Sequence, residues 1–179
     1  MDFNIEKGDQ KRIVIVGGGF GGLELAKNLR KTGMQIVLID KHNYHQFQPL
    51  IYQVASAGME PSSISFPYRR IFQKYKNLYF RLAEVKQIDV KNKKVITSIG
   101  SVSYDYVVLA AGATSNFFGN KEIEKGSMAM KSLSEAARIR NTVLANIERA
   151  ITTEDPVFRQ ELLNIVVVGG GATGVELAG

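Results

Sequence analysis

The fold is decided by the stretch Arg12-Ile-Val-Ile-Val-Gly17-Gly-Gly19-Phe-Gly-Gly22-Leu-Glu-Leu-Ala26. Its run from Ile13 to Val16 is apolar, rich in β-branched residues and too short for a helix, which predicts a strand buried on both faces. The three numbered glycines follow with the spacing G-x-G-x-x-G, and the apolar residues after them recur at the interval of an amphipathic helix. A strand, a glycine-rich turn and a helix in this order are typical of a dinucleotide-binding unit.

Each glycine has a physical reason in such a unit. Gly17 permits the tight turn, Gly19 lets a pyrophosphate approach the backbone, and Gly22 lets the helix pack closely on the strand. The N–H groups and positive dipole end at the helix start favour phosphate. Asp40 follows the predicted strand Gln35–Ile39, about 20 residues beyond the glycines, where a ribose-binding carboxylate is expected. The alternative is a glycine-rich turn that serves structure alone.

An ATPase-type phosphate loop is disfavoured, because no Lys-Ser or Lys-Thr pair follows the glycines. The chain of 179 residues is long enough for one domain, or for one domain and part of another. Its net charge is +6 and its pI about 9.5. The basic residues are scattered, as at Arg69-Arg70 and Lys91–Lys94. A solvated basic surface is therefore favoured over a nucleic-acid footprint, with attraction to an anionic membrane surface as the alternative.

The chain contains no cysteine, which excludes disulfides, thiolate metal sites and thiol redox chemistry within it. His42 and His45 are three residues apart in a loop without carboxylate or cysteine partners, so no metal site is expected. No apolar run approaches the roughly 18 residues that span a bilayer. The first six residues do not resemble a signal peptide, and an intracellular protein is expected.

The segment after Asp40 is predicted to pass through several short elements. A loop over Lys41–Pro49 is followed by a short helix over Leu50–Ala57 and a second loop over Gly58–Ser65. A helix over Pro67–Tyr75 comes next, with Arg69 and Arg70 outward. Strands are then predicted over Leu78–Val90, over Val95–Ile99 and from Val102. The last three strands are expected to form an antiparallel meander that covers one face of a parallel sheet.

Asp105–Thr114 is predicted to be another buried strand that ends in small residues. Residues 110–112 permit close approach of the backbone to a cofactor, with tight packing as the alternative reason for their size. Ser134 is the predicted N-cap of a helix that runs to Ile151. The polar residues of Thr152–Phe158 form a candidate linker.

The opening motif then recurs as Ile165-Val-Val-Val-Gly169-Gly-Gly171-Ala-Thr-Gly174-Val-Glu176-Leu-Ala178. Chance explains one such motif easily and two poorly, so two dinucleotide sites are expected. The second motif breaks off inside its helix, without the next strand and its ribose acid. The sequence is therefore interpreted as an N-terminal fragment. The fold class predicted is α/β, with a Rossmann-like first domain and the truncated start of a second.

Paired motifs in this order resemble the flavoproteins that bind two dinucleotides. Most disulfide reductases of that group carry a cysteine pair soon after the first acid, whereas Lys41–Ala55 contains none. That segment, together with Gly112–Gly119 and Met130–Ala136, is similar to the type II NADH:quinone oxidoreductases. The resemblance runs from about Lys11 to the end of the chain.

The resemblance implies that FAD binds at the first motif and NADH at the second. The implied FAD contacts are Gly17, Gly19, Phe20, Gly21 and Gly22 on the phosphates, Asp40 on the ribose with Lys41 beside it, Val85 on the adenine, Ala111 and Gly112 near the pyrophosphate, and Gln48, Pro49 and Leu50 near the flavin ring. The implied NADH contacts are Gly169, Gly171, Thr173 and Gly174. Glu176 is the implied catalytic residue, at the family's position beside the flavin where the nicotinamide docks.

The implied reaction carries electrons from NADH through the flavin to a membrane quinone, while the protein supplies orientation and electrostatics. These residues alone are expected to be inactive. The resemblance further implies a peripheral protein on the inner, cytoplasmic face of the cell membrane, anchored by a C-terminal region beyond Gly179. A homodimer is possible and a nucleic-acid partner is not expected.

Two alternative functions remain open from the sequence: a soluble, cysteine-free flavin reductase with another acceptor, and a non-catalytic sensor that binds FAD and NAD. The predicted domains are an FAD-binding domain over residues 1–118, a connecting helix and linker over 119–162, and the start of an NAD(H)-binding domain over 163–179.

Overall fold

The computed structural model describes residues 3–179 and divides into two compact units. The first holds the described residues up to His45 together with Phe66–Ala113, and the second holds Gln46–Ser65 and Thr114–Gly179. Residues 1–2, on which part of the signal-peptide interpretation falls, lie outside the described residues. The predicted domain boundaries refer to a longer protein and stay a prediction.

Nine strands and seven α-helices are formed by the described residues. The strands are β1 (Arg12–Val16), β2 (Gln35–Asp40), β3 (Tyr44–Gln46), β4 (Ser65–Pro67), β5 (Leu78–Leu82), β6 (Val85–Asp89), β7 (Lys94–Thr97), β8 (Gly100–Ser103) and β9 (Tyr106–Leu109). The helices are α1 (Phe20–Asn28), α2 (Ile51–Ala55), α3 (Tyr68–Ile71), α4 (Lys121–Gly126), α5 (Leu133–Thr152), α6 (Pro156–Leu163) and α7 (Ala172–Ala178). Short 3₁₀ turns occupy Leu29–Lys31, Gln48–Leu50 and Pro61–Ile64.

A four-stranded parallel sheet in the order β5-β2-β1-β9 forms the centre of the first unit. In this order the first strand of the chain lies in the middle and the next two parallel strands lie to one side, as in half of a doubly wound sheet. The strands β6, β7 and β8 form a separate antiparallel meander. The Rossmann-like fold class predicted for this part is confirmed.

The two faces of the parallel sheet carry two hydrophobic clusters, which explains why Ile13–Val16 of β1 and Ile36–Ile39 of β2 are apolar at every position. Val14, Val16, Val37 and Ile39 pack with Val95 and Val102 of the meander. The alternate residues Ile13, Ile15, Ile36 and Leu38 pack with Leu23 and Ala26 of α1 and with Tyr68, Phe72 and Phe80. Side chains alternate across a strand, so a run buried on both faces has no polar position. The meander therefore covers one face, as predicted.

The prediction of a single strand over Leu78–Val90 is wrong. β5 pairs in parallel with β2 until the Ala83 N–H donates to the Asp40 carbonyl at 2.9 Å. The Glu84 N–H then donates to the Ser98 hydroxyl at 3.1 Å, and the Ser98 N–H donates back to the Glu84 carbonyl at 2.9 Å. These bonds direct the following residues into the meander, so the continuous alternation of the sequence belongs to two sheets.

Several other predicted elements differ in extent. β9 is shorter than predicted and only half-buried, because it is the edge strand, and its Tyr106 and Leu109 side chains are exposed. The helix predicted over Pro67–Tyr75 ends at Ile71, with Arg69 and Arg70 exposed as predicted. The predicted loops contain β3 and the 3₁₀ turn of Pro61–Ile64.

Helix α5 is the main helix of the second unit, and α2 and α6 pack against it. Its N-cap is Ser132 rather than the predicted Ser134, because the Ser132 hydroxyl accepts the Glu135 N–H and the Glu135 carboxylate accepts the Ser132 N–H. This reciprocal pair is a capping box. The predicted linker over Thr152–Phe158 is shorter, since Asp155 caps α6 through the Val157 N–H at 2.9 Å.

The apolar run Ile165–Val168, which opens the second motif, has the composition of a buried parallel strand. These residues belong to no strand in the described chain, and Val166 is 84% exposed. A parallel strand is formed only by pairing with a neighbour, whatever the β-propensity of its residues. Across residues 3–179, every helix is too short or too polar to cross a membrane.

A buried arginine fixes the amino end of β1. The Arg12 side chain is 1% exposed and donates to the Ile5 carbonyl at 2.8 Å, to the Ser103 hydroxyl at 3.2 Å and to the Gln35 side-chain oxygen. Its backbone N–H donates to the Asp105 carboxylate at 2.7 Å. Lys7 and Lys11 pair with the same carboxylate at 3.0 and 3.6 Å. One set of bonds therefore joins β1, β2, β8 and the start of β9.

The Arg12 N–H, followed by Lys7 and Lys11, lowers the pKa of Asp105 to about 2. A carboxyl group with a lowered pKa stabilises the folded state above its unfolded pKa of about 4, and this contribution is lost as the pH falls through 2. We therefore expect the free energy of unfolding to fall less steeply between pH 4 and pH 2 in Asp105→Asn than in the wild type. Urea unfolding at a series of pH values measures it, with the exposed Asp9→Asn as the control. Parallel curves for Asp105→Asn and the wild type would contradict the assignment.

Candidate nucleotide-binding site

The carboxyl ends of three parallel strands meet at one edge of the first unit. The Gly17 N–H donates to the Ile39 carbonyl, and the Ala110 N–H donates to the Val16 carbonyl, both at 2.8 Å. The last residue of β2 is Asp40, beside the glycine-rich turn. In open α/β sheets, ligands bind at this edge of the sheet. The sequence-predicted residues Gly17, Asp40 and Ala111 are thus brought together.

Two glycines of the turn are required by the protein itself. Gly17 has φ of +99°, which favours glycine, and a side chain there would overlap the Ala110 carbonyl. A Cβ at Gly22 would overlap the Gly17 carbonyl and lie 3.3 Å from Ile15 Cγ2. The close packing of α1 on β1 predicted for Gly22 is therefore present.

At two other positions of the turn, neither packing nor backbone conformation requires glycine. Ideal Cβ atoms at Gly19 and Gly21 have no neighbour within 4 Å, and both residues are exposed. Gly19 is the N-cap of α1, with φ of −61°, and no side chain caps this helix. The open space therefore lies directly in front of a helix N-terminus, whose N–H groups and dipole suit a phosphate group. These residues fit the pyrophosphate of a dinucleotide.

Gly18 lies between Gly17 and Gly19, and both its N–H group and its carbonyl group make hydrogen bonds within the protein. Its N–H donates to the Asp40 carboxylate at 2.6 Å. Its carbonyl accepts the Tyr68 hydroxyl at 2.6 Å and lies 3.1 Å from Nδ1 of His45. Because a carbonyl oxygen only accepts, the contact with His45 requires the tautomer with hydrogen on Nδ1. A side chain at Gly18 would overlap the Tyr68 phenol.

Burial, followed by the charge of Asp40, raises the pKa of the Tyr68 phenol far above its usual value. The pKa of Tyr44 is raised by the same two causes. Tyr68 is 2% exposed and packs against the rings of Phe72 and Phe80. The phenol therefore stays protonated and remains a donor to the Gly18 carbonyl.

The Asp40 carboxylate also accepts the His42 N–H at 2.8 Å. A carboxylate can accept about four hydrogen bonds, so acceptor sites on Asp40 remain open.

The remaining predicted FAD contacts of this unit lie around the same turn or at the start of the meander. Phe20 is 47% exposed and meets the His45 ring edge-on. Gly112 is exposed, with φ of +71°. Val85 begins β6 and is half-buried. Lys41 is exposed, and its charge adds to the hydrogen bond from Lys86 that lowers the pKa of Glu84.

In the second unit, the predicted flavin-ring segment Gln48, Pro49 and Leu50 forms a 3₁₀ turn. Gln46 ties it to the start of α5: its side-chain oxygen accepts the Leu133 N–H at 3.1 Å, and its amide donates to the Lys131 carbonyl at 3.0 Å. The Gln48 amide donates to the same carbonyl at 3.3 Å. The side chains of Gln46 and Gln48 therefore fix the segment to the start of α5.

The second glycine turn repeats the backbone of the first without a sheet beside it. Gly169 has φ of +114°, Gly171 is the N-cap of α7, and a Cβ at Gly174 would overlap the Gly169 carbonyl. Thr173 and Glu176 are exposed on α7. The turn is thus encoded locally by its glycines. Its role in binding NADH and the role of Glu176 stay predictions.

The family profile described as "Pyridine nucleotide-disulphide oxidoreductase" matches residues 11–179. The chain belongs to this family. Two curated relatives from Mycobacterium tuberculosis, named Type II NADH:quinone oxidoreductase Ndh and NdhA, are 38% and 39% identical over 172 and 176 residues. These matches cover 94% and 96% of this chain but 37% of each relative.

Among solved structures, NDH2 from Plasmodium falciparum in complex with NADH has a TM-score of 0.86 at 26% identity. The match covers 94% of this chain and 36% of that one. The resemblance to type II NADH:quinone oxidoreductases is therefore confirmed. The chain spans little more than a third of the length of these relatives.

Within residues 3–179, no three His, Asp or Glu side chains come together in a group that could hold a metal ion. The structure instead adds four residues that sequence analysis missed or assigned no binding role, namely Gly18, His45, Gln46 and Tyr68. Tyr68 contacts Gly18 across 50 positions of the chain, and no local pattern indicates such a contact. The only sequence signal for Gly18 is its place inside the motif.

Adjacent glycines of α1 provide a matched pair of substitutions. Gly22→Ala places a methyl group against the Gly17 carbonyl and should lower the free energy of unfolding by about 1–3 kcal/mol. Gly21→Ala meets open space inside a helix and should raise the free energy of unfolding by about 0.5–1 kcal/mol. Urea unfolding of both variants tests this, and a loss of stability in Gly21→Ala equal to that in Gly22→Ala would contradict it.

Proposed function

We propose that the chain is the N-terminal part of an FAD-dependent oxidoreductase that passes electrons from NADH to a membrane quinone. The observation that carries the proposal is the pair of exposed glycines at the start of the uncapped helix α1, with Gly19 at the N-cap and Gly21 in the first turn. The fold requires glycine at neither position, and Gly19 is the second glycine of the motif, which lets a pyrophosphate approach the backbone. The relatives named as type II NADH:quinone oxidoreductases support the choice of reaction.

The first unit supplies the contacts to the adenosine and pyrophosphate parts of FAD. The backbone N–H groups at the start of α1 bind the phosphates, with Ala111 and Gly112 beside them. Asp40 accepts the ribose hydroxyls at the acceptor sites that the N–H groups of Gly18 and His42 leave open. Lys41 and Val85 flank the adenosine. Gln48, Pro49 and Leu50 hold the flavin ring.

In the longer protein, Gly169, Gly171, Thr173 and Gly174 bind NADH, and Glu176 lies where the nicotinamide meets the flavin. When bound, FAD supplies the redox chemistry that links a two-electron donor to a quinone. The chain itself positions the two nucleotides. Positioning of this kind accounts for several kcal/mol of a typical catalysed barrier.

The partners and location follow from the same proposal. The electron acceptor is a quinone, and the protein lies on the cytoplasmic face of the cell membrane through a region outside this chain. The proposal includes assembly into a homodimer, and it includes no nucleic-acid partner. The domain boundaries proposed for the longer protein are those predicted from the sequence.

Anaerobic spectroscopy of the full-length protein tests this function. We expect a yellow protein whose flavin absorbance bleaches on addition of NADH and recovers on addition of a soluble quinone. Residues 1–179 alone should oxidise NADH at a small fraction of that rate. A flavin that NADH does not bleach would indicate a sensor. Recovery with ferredoxin or oxygen but not with quinone would indicate a soluble reductase.

Replacement of Gly19 isolates the phosphate contact from the fold. Gly19→Val fits the extended backbone there but fills the space that the pyrophosphate needs. The full-length variant should purify colourless, with at least about a tenfold higher FAD dissociation constant and an unchanged circular dichroism spectrum. Gly8→Val, a matched change at an exposed glycine with equally open surroundings, should stay yellow. A yellow Gly19→Val protein with stoichiometric FAD would place the phosphates elsewhere.

A further inference from the structure

The peptide group between Gly18 and Gly19 is held from one side only. Its carbonyl oxygen accepts from the Tyr68 hydroxyl at 2.6 Å and lies 3.1 Å from Nδ1 of His45. Tyr68 and His45 are 2% and 6% exposed, so both donors approach from the interior. The other polar atom of Gly18, its N–H, is taken up by Asp40.

Because the Gly18 carbonyl and the Gly19 N–H belong to one trans peptide unit, the hydrogen bonds to the carbonyl also set the direction of the N–H. The carbonyl oxygen and the amide hydrogen of one trans peptide unit point to opposite sides of the chain. No cis peptide bond occurs among the described residues. Because the Gly18 carbonyl is held inward, the Gly19 N–H points to the other side, and Gly19 itself is exposed.

A glycine pair needs such anchoring more than other residues do. Without Cβ atoms, the peptide unit between two glycines rotates at low steric cost. An N–H group that samples several orientations binds an anion less tightly than one that is already fixed in the binding orientation. Side chains that fix the unit beforehand remove this cost from binding.

The second glycine turn provides an internal comparison. Gly170 occupies the position of Gly18, yet among residues 3–179 it makes no hydrogen bond, and an ideal Cβ there has no neighbour within 4 Å. The backbone turn therefore forms without these donors. Among residues 3–179, the G-x-G-x-x-G conformation thus forms at the second turn without donors to its carbonyl.

We propose that His45 and Tyr68 are positioning residues for the FAD pyrophosphate, which they orient through the Gly18–Gly19 peptide without touching the nucleotide. The inference rests on the proposed function. It gives the histidine a specific role, which is to present Nδ1–H to one carbonyl. An amide with the same reach replaces this donor, whereas an apolar side chain of similar volume does not.

FAD titration of the full-length apo-protein tests the proposal with four variants. His45→Leu fills the volume without a donor, and His45→Asn restores an N–H near the position of Nδ1. Tyr68→Phe removes the second donor and keeps the ring. Tyr75→Phe is the matched control, because its hydroxyl contacts Arg30 at 3.4 Å and not the glycine turn.

We expect His45→Leu and Tyr68→Phe each to raise the FAD dissociation constant about tenfold, as loss of one hydrogen bond would. His45→Asn should stay within about threefold of the wild type, and Tyr75→Phe should equal it. The ³¹P resonances of bound FAD should shift in His45→Leu and Tyr68→Phe only. A merely structural role would lower the melting temperature without moving these resonances.

The outcomes separate this inference from the proposed function. A wild-type protein that binds no FAD overturns both. A wild type that binds FAD, with Tyr68→Phe and His45→Leu equal to it in affinity and ³¹P spectrum, overturns the positioning role alone. Failure of His45→Asn to restore affinity also counts against it. If His45→Leu does not fold, Tyr68→Phe decides the question, since it preserves the packing of the ring.

Discussion

The close packing around Gly17 is the constraint that organises the first unit. Helix α1 approaches the Gly17 carbonyl so closely that any side chain at Gly22 would overlap it, and the Ala110 carbonyl closes the other side of Gly17. The end of β1, the start of α1 and the end of β9 are therefore drawn into one place. The helix N-terminus, with its N–H groups and positive dipole end, is fixed at the carboxyl edge of the sheet as a consequence.

Those elements whose stability is decided by local chemistry were predictable from the sequence. The apolar run of β1 indicated burial on both faces, and its residues alternate between two hydrophobic clusters. The three spaced glycines predicted the turn, which forms even at Gly169, where no sheet lies beside it. The fold class and the family resemblance followed from the two motifs and the cysteine-free segment after Asp40.

Elements that depend on distant partners were predicted less well. The alternation of Leu78–Val90 is the same in one long strand as in two short ones, and only the pairing of Glu84 with Ser98 separates them. Likewise, the donors to the Gly18 carbonyl come from 27 and 50 positions along the chain. Spacing within a motif carries no information about such contacts.

The position of β1 in the sheet has a consequence for how the protein is made. β1 precedes the other three strands of its sheet in the sequence, yet it lies in the middle of the sheet and its pairing is completed only by β9. Synthesis proceeds at about 5–20 residues per second, so the nearly one hundred residues between them correspond to about 5–20 seconds. During this interval one edge of β1, which is apolar from Ile13 to Val16, is unpaired. An unpaired strand edge of this kind can pair with other extended chains, so early completion of the sheet protects the nascent chain from aggregation.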